Sequence, residues 1–192
     1  MKEEDKKERE WHGWPRLPRW LVGPPARSDR KKPRMLQRLF DFPTLPSARG
    51  GDVKAQDIFQ NDSPVVVTVS DKGGQSFAKM WMKALIQKAP DANYVGVADL
   101  VSVPPVLRRT AVQFIRRTYA RNEGPPLLLD LDGHFQRAWK REANSVLLMV
   151  MDCKGSVHMA RSVREPTTDV VEEVADTIKK HRPLNVFKAF GL

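Results

Sequence analysis

The chain has 192 residues, a length that suits one domain of ordinary size with an appendage. Hydrophobic residues make up 41% of it and charged residues 29%, which allows a packed core and excludes wholesale disorder. The 33 basic and 23 acidic residues give a formal net charge of +10, so anionic partners are favoured. No apolar run reaches the roughly 18 residues of a membrane-spanning helix, and the charged start MKEEDKKERE predicts no secretory signal.

Residues 1–38 are predicted to form a basic, extended arm. Prolines recur every few residues from Pro15 to Pro33, which excludes a regular helix or a paired strand. Three tryptophans in so short a polar segment indicate that the arm lies against a surface, because indoles in water favour burial. We therefore expect it to contact a partner or its own domain through these residues: Trp11, Trp14, Trp20, Arg27, Arg30, Lys31, Lys32, Arg34 and Arg38.

Residues 39–183 alternate predicted strands and helices. Phe40–Phe59 indicates a loop, a short strand and one helical turn, with Gly50 and Gly51 as turn residues. Five strands follow, each a short run rich in β-branched or apolar residues: Pro64–Ser70, Tyr94–Leu100, Leu127–Leu131, Val146–Asp152 and Ser156–Ala160. The last two flank the turn Asp152-Cys153-Lys154-Gly155, which predicts a hairpin.

Three helices are predicted among these strands. The first has apolar residues at helical spacing from Phe77 to Leu85 and ends near Pro90. The last spans Thr167–His181, with Thr168 as its cap, and residues 184–192 follow it as a tail. The middle helix begins at Pro104 and Pro105, and its predicted core face comprises Leu107, Ala111, Phe114, Ile115 and Tyr119. The element order predicts an α/β domain.

This order and the local sequence together resemble the thioredoxin fold of the peroxiredoxin and thiol-disulfide oxidoreductase branch. The similar stretches are Phe42-Pro43-Thr44-Leu45, Gly51-Asp52-Val53-Lys54 and the D-x-x-G strand ends at residues 130–133 and 152–155. The resemblance covers residues 40–183. It implies a thioredoxin-like α/β domain with a central mixed β-sheet flanked by helices, and with the proline-rich arm outside it.

The active-site sequence departs from that branch, in which a reactive cysteine follows the first core strand at a helix N-terminus. Here the turn contains no sulfur, and Ala143-Asn144-Ser145 stands where the branch has a cis-proline. The sequence therefore predicts a redox-inactive domain. Its degenerate active-site turn could cradle an anion, although an ordinary strand-to-helix turn explains the same residues: Asp71, Lys72, Gly73, Gly74 and Gln75.

Cys153 is the single cysteine, which excludes an internal disulfide and a multi-cysteine zinc site. It lies beside Lys154 in the predicted hairpin turn. A tolerated turn residue explains it better than a nucleophile does, because a reactive cysteine needs a cleft and a positioned base. The alternative is a thiol peroxidase or oxidoreductase-like enzyme that uses Cys153.

A metal site is the other chemistry that the sequence raises. Asp130, Asp132 and His134 alternate and could bind a metal together with Asp152, but turn carboxylates more often cap a following helix. We therefore predict no metal and no cofactor. His12 and His181 stand alone in the sequence and indicate no site.

The middle helix is basic without a balancing acid: it carries Arg108, Arg109, Arg116 and Arg117. Because a surface helix usually mixes both signs, this charge points to RNA, an anionic membrane face or an acidic protein as partner. A merely solvated basic face explains it equally well. No RNP motif, GXXG loop or dsRNA signature predicts sequence-specific RNA binding.

A thioredoxin-like domain without active-site cysteines, with a basic proline-rich arm, also resembles the mitochondrial ATP synthase assembly factor family. The similar residues are Val150, Asp152, Cys153 and Val157 around the hairpin turn, with Pro166 before the last helix. The resemblance implies a non-enzymatic module bound to protein subunits of a larger mitochondrial complex, an ATP synthase or a mitoribosome or its assembly apparatus. The alternatives are the Cys153 enzyme and a general RNA-binding protein, and the alternative location is the cytoplasm.

Overall fold

The computed structural model describes residues 38–39, 41–59, 62–119 and 124–182. The predicted arm up to residue 37 and the predicted tail 184–192 lie outside the described residues, so the roles of Trp11, Trp14, Trp20 and the basic residues from Arg27 to Arg34 stay predictions.

Among the described residues, six strands form one mixed sheet: β1 (Arg38–Leu39), β4 (Val65–Ser70), β5 (Asn93–Asp99), β6 (Leu127–Asp130), β7 (Val146–Met151) and β8 (Ser156–Val163). Their order across the sheet is β1-β8-β7-β4-β5-β6. Strands β4, β5 and β6 are parallel, β7 is antiparallel to β4, and β8 is antiparallel to β7. At the edge, β1 pairs with β8 so that Arg38 lies opposite Val157. The predicted central mixed sheet is therefore confirmed, with β8 three residues longer than expected.

The central strand β4 separates two cores because all six of its side chains are buried. On one face Val65, Val67 and Val69 pack with Phe42 and Phe135. That face is covered by small elements: the hairpin of β2 (Leu45–Pro46) and β3 (Asp52–Val53), α1 (Ala55–Ile58) and α4 (His134–Ala138). The β-branched run thus forms a strand buried on both sides, as its composition predicts.

The opposite face is covered by α2 (Gln75–Lys88) and α5 (Thr168–Lys180), which pack against each other. Trp81 is fully buried between them and the sheet, and its Nε1 donates to the Arg164 carbonyl at 2.6 Å. Helix α5 begins at Thr168 after an extended Thr167, so Thr167 is the N-cap and the prediction of Thr168 was wrong by one residue. No helix in the described part of the chain combines the length and apolar character needed to cross a membrane.

Helix α3 (Pro105–Tyr119) packs differently, because none of its 15 residues is buried. Val112, Ile115 and Tyr119 contact a small cluster formed by residues at the ends of β5 and β6. Leu107 and Phe114, predicted to face the core, are 54% and 70% exposed. That part of the predicted core face was wrong, since the four-residue β6 at the sheet edge covers only a narrow stripe of the helix.

Candidate functional site

The degenerate active-site turn follows β4 and leads into α2. The Asp71 Oδ1 accepts a hydrogen bond from the Gly74 amide at 2.8 Å, and α2 begins at the next residue. The Lys72, Gly73 and Gln75 residues are exposed, whereas Gly74 is buried. The turn therefore lies at the carboxyl end of the central strand, where the resemblance places a reactive cysteine.

Arg141 binds this turn to the neighbouring strands. Its guanidinium lies 2.8 Å from the Asp71 Oδ2 and 3.3 Å from the Asp99 Oδ2, at the end of β5. The side chains of Arg141, Asp71 and Asp99 are 8%, 22% and 5% exposed. The guanidinium also donates to the Ser145 carbonyl at 3.0 Å, just before β7. We call Asp71, Asp99 and Arg141 the ion clasp, because they connect the ends of three adjacent strands.

Opposing effects of burial and of the neighbouring donors determine the pKa of Asp71 in the ion clasp. Burial alone would raise this pKa, but hydrogen bonds from Arg141 and the Gly74 amide and the nearby guanidinium charge together lower it below its ordinary value. Asp71 is therefore ionised at neutral pH and electrically paired. A carboxylate at this position also opposes the binding of an anion by the turn.

The two glycines allow the turn to pack directly on the segment that precedes β7. A Cβ atom at Gly74 would lie 2.5 Å from the Ser145 carbonyl oxygen, and one at Gly73 would lie 2.2 Å from the Asn144 Oδ1. Asn144 has a positive φ of 52°, and no peptide bond among the described residues is cis. Ser145 is fixed by its hydroxyl, which donates to the Glu142 carbonyl at 2.6 Å. The region is thus a closed contact between two loops.

Cys153 lies at the other end of the sheet. In the pairing of β4 with β7, Val65 is opposite Met151 whereas Ser70 is opposite Val146. The hairpin turn that holds Cys153 and the turn at Asp71 are therefore separated by the length of β4, about 17 Å. The half-buried thiol cannot act together with groups of the degenerate turn.

The two D-x-x-G turns are closed in the same manner by their aspartates. The buried Asp130 accepts hydrogen bonds from the amides of Gly133, His134 and Phe135 and lies 3.1 Å from the His134 Nδ1. Asp152 accepts from the amides of Lys154 and Ser156. Asp130 ends β6 and Asp152 directly follows β7, which runs in the opposite direction, so the two carboxylates lie at opposite ends of the sheet and one ion cannot bind both.

The arginines of α3 divide into two groups. Arg108 donates to the carbonyls of Val103 and Val101 and closes the loop before the helix. Arg109, Arg116 and Arg117 are exposed and form no ion pair with any residue that the structure describes. We call these three arginines, with the exposed Val106, Leu107 and Phe114, the α3 surface.

One side-chain cluster was not anticipated from sequence. The rings of His158 and His181 stack with centroids 3.4 Å apart, and the His158 Nε2 lies 2.9 Å from the Asp152 Oδ2. Among the residues that the structure describes, the buried His158 Nδ1 and His181 Nε2 have no hydrogen-bond partner. Burial lowers the pKa of His181, and the positive charges of His158 and Lys180 lower it further, whereas Asp152 acts in the opposite direction. No local sequence signal joins two histidines from β8 and the end of α5.

Comparison with solved structures identifies the fold. The chain is 12% identical to a thioredoxin-like protein from Aeropyrum pernix, with a TM-score of 0.50 over 73% of this chain and 89% of that one. An exposed lipoprotein thioredoxin from Streptococcus pneumoniae gives 12% identity and a TM-score of 0.50 over 71% of this chain and 97% of that one. The fold is thioredoxin-like. This thioredoxin-like domain is also similar to a proposed thiol-disulfide oxidoreductase from Bacteroides vulgatus, with 14% identity and a TM-score of 0.50 over 71% of this chain and 86% of that one.

Comparison by sequence gives no match, either to a protein-family model or to a curated protein. The predicted thioredoxin-like fold is confirmed by structure alone. The resemblance to mitochondrial ATP synthase assembly factors has no support from these comparisons and stays a prediction.

Proposed function

We propose that the protein is a redox-inactive thioredoxin-like module that binds protein subunits of a larger assembly. The observation that carries this proposal is the α3 surface. Val106, Leu107 and Phe114 are 85%, 54% and 70% exposed on a helix whose charges are all positive. Large apolar side chains in water beside unpaired cations are typical of a surface that a partner covers.

The ion clasp supports the redox-inactive part of the proposal. Thiol chemistry at the carboxyl end of β4 needs a sulfur nucleophile, and the turn from Asp71 to Gln75 has none. Asp71 is paired with Arg141, which also binds Asp99, and Asn144 and Ser145 fill the space against the glycines. The residues that remain there hold strands together, which is a structural role.

The arm and the compartment belong to the same proposal. We propose that residues 1–38 act with the α3 surface in docking, and that the assembly is mitochondrial, an ATP synthase or mitoribosome or its assembly apparatus. The support is the basic, tryptophan-containing sequence of the arm and the resemblance around the hairpin turn. General RNA binding is the competing explanation of the same positive charge.

Purification of tagged full-length protein from its native cells tests this proposal. We expect a stable set of co-purifying proteins that resists nuclease and is lost when Arg109, Arg116 and Arg117 are all changed to Glu. The matched control changes Arg164, Lys179 and Lys180 to Glu, because these three cations are exposed and lie away from α3. A set that survives the α3 variant, or that disappears with nuclease, would contradict the proposal.

A further inference from the structure

A groove runs along the sheet beside α2, with a volume of about 510 Å³. Its floor includes Thr68 of β4 and Gly96 of β5, and its far wall is formed by Tyr119, Pro125 and Leu127. Helix α2 packs against α5, on the side away from β6, and so leaves this part of the sheet uncovered. The short side chain of Thr68 and the absence of one at Gly96 leave space above the strands. Its volume lies within the usual range of ligand-binding pockets.

The near wall is the exposed side of α2. Ala78, Met82 and Ile86 supply apolar surface, while Lys79 and Lys83 extend along the same wall. Both lysines are exposed, and neither forms an ion pair with the residues that the structure describes. The wall therefore offers apolar contact and unneutralised positive charge together.

Charge distribution over the helices makes this groove distinctive. Helix α2 carries Lys79, Lys83 and Lys88 with no acid, and α3, whose last residue Tyr119 lines the groove, carries four arginines with no acid. Helix α5 on the same side of the sheet mixes four acidic and two basic residues. The positive potential is therefore concentrated on the two helices that border the groove.

We infer that this groove binds an amphipathic acidic segment of a partner protein, whose apolar side chains lie on the floor and whose carboxylates reach Lys79 and Lys83. The inference rests on the proposed binding function and specifies the chemistry of its partner. Nucleic acid fits less well, because base stacking uses aromatic platforms and Tyr119 is the one aromatic residue among the described residues that line the groove. A bilayer fits less well because a flat surface does not enter a concave one.

Selection from a phage-displayed library of random peptides against the full-length protein tests the inference. We expect the selected peptides to combine Asp or Glu with Leu, Ile, Met or Phe. The tightest of them, synthesised with a fluorescent label, is the probe in a binding titration. Amide NMR shifts on adding this peptide should be largest at Ala78–Gln87, Gly96 and Leu127.

Two variants and one control test whether the peptide binds through the lysines and the apolar surface of the groove. Lys79→Glu with Lys83→Glu should weaken peptide binding about tenfold or more, whereas Lys179→Glu with Lys180→Glu, which changes net charge equally, should leave it within about twofold. Ile86→Ser should weaken binding at every salt concentration, because it removes apolar contact. The four lysine positions are exposed, so those variants should keep the wild-type melting temperature. Ile86 is 37% exposed, so the affinity of its variant is measured at a temperature at which both proteins are folded.

Several results would overturn the inference. They are a selection without binders, selected peptides without acidic residues, binding unaffected by the Lys79 and Lys83 changes, and displacement of the peptide by a poly-uridine oligonucleotide at lower concentration. Failure here differs from failure of the proposed function. If co-purified proteins depend on the α3 surface but not on Lys79 and Lys83, the groove is excluded and the binding function stands.

Discussion

The ion clasp and the α3 surface use arginine in opposite ways. At the clasp, Arg141 is 8% exposed and its guanidinium contacts two carboxylates and a carbonyl. On α3, Arg109, Arg116 and Arg117 are exposed and have no acidic partner among the described residues. The difference indicates that the clasp holds the domain together, whereas the α3 cations are available to another molecule.

The strongest test of this contrast is Arg141→Ala. It should lower the free energy of unfolding by about 3–5 kcal/mol, because Asp71 and Asp99 would remain buried without their partner. Urea denaturation measures the loss. Arg117→Ala is the matched control and should change stability by less than about 0.5 kcal/mol. Similar losses in both variants would contradict the assignment of different roles.

The pH dependence of stability tests the pairing of Asp71 with Arg141. The pKa of Asp71 is lowered in the folded state, so its contribution to stability is present above its unfolded pKa of 3.8 and is lost as pH falls through the lower folded value. We expect thermal stability to fall between about pH 5 and about pH 2.5 in the wild type. The Arg141→Ala variant should lose less over that interval, since the guanidinium that lowers this pKa is gone. An equal loss would contradict the role of Arg141.

A second titration tests the stacked histidines. The pKa of His181 is lowered from 6.5 in the folded state, so the unfolded chain binds a proton first and the fold loses stability as pH falls through 6.5. Melting temperature should therefore decrease between about pH 7.5 and about pH 5. His181→Gln should flatten this dependence. A dependence as steep in His181→Gln as in the wild type would contradict the assignment to His181.

Phe114→Ala should affect partner binding more than stability. The ring is 70% exposed, so the free energy of unfolding should change by less than about 0.5 kcal/mol, while the set of co-purified partners should be reduced. Thermal melting and native purification measure the two effects. A large stability loss would mean that Phe114 packs against the protein's own chain, and the α3 surface would no longer support a docking role.

Cys153→Ser should change neither the free energy of unfolding nor the set of co-purified partners. We expect both proteins to lack peroxidase and disulfide-reductase activity above background, because the thiol is about 17 Å from the degenerate turn. Standard peroxide and insulin-reduction assays provide the measurement. Activity in the wild type that disappears in Cys153→Ser would favour the enzyme alternative.

The sequence predicted the strands and most of the helical core because those signals are local. Every residue from Val65 to Val69 is β-branched, and the spacing of Trp81 and Leu85 fits one buried helical face. The buried face of helix α3 was harder to predict. Its sequence shows an apolar stripe but does not show how little sheet surface lies beneath the helix. Its exposed Leu107 and Phe114 follow from the width of the sheet edge.

Arg141 could not be predicted from its surroundings. It lies in an irregular stretch without periodicity, and its partners Asp71 and Asp99 are 70 and 42 residues away. The absence of cysteine from the turn was plain in the sequence. The charges that stand there, a set of ion pairs joining three strands, depend on contacts that form only when β4, β5 and β7 come together.

The close approach at Gly74 makes a thiol difficult to introduce into this turn. A cysteine there would place its Cβ 2.5 Å from the main-chain oxygen of Ser145, which a side-chain rotation cannot relieve. At Gly73 the obstacle is the Asn144 side chain, which would have to turn away first. Introducing a reactive sulfur by a point mutation would therefore also require a new course for residues 141–145. An engineer who wanted an active oxidoreductase from this scaffold would have to replace both loops together.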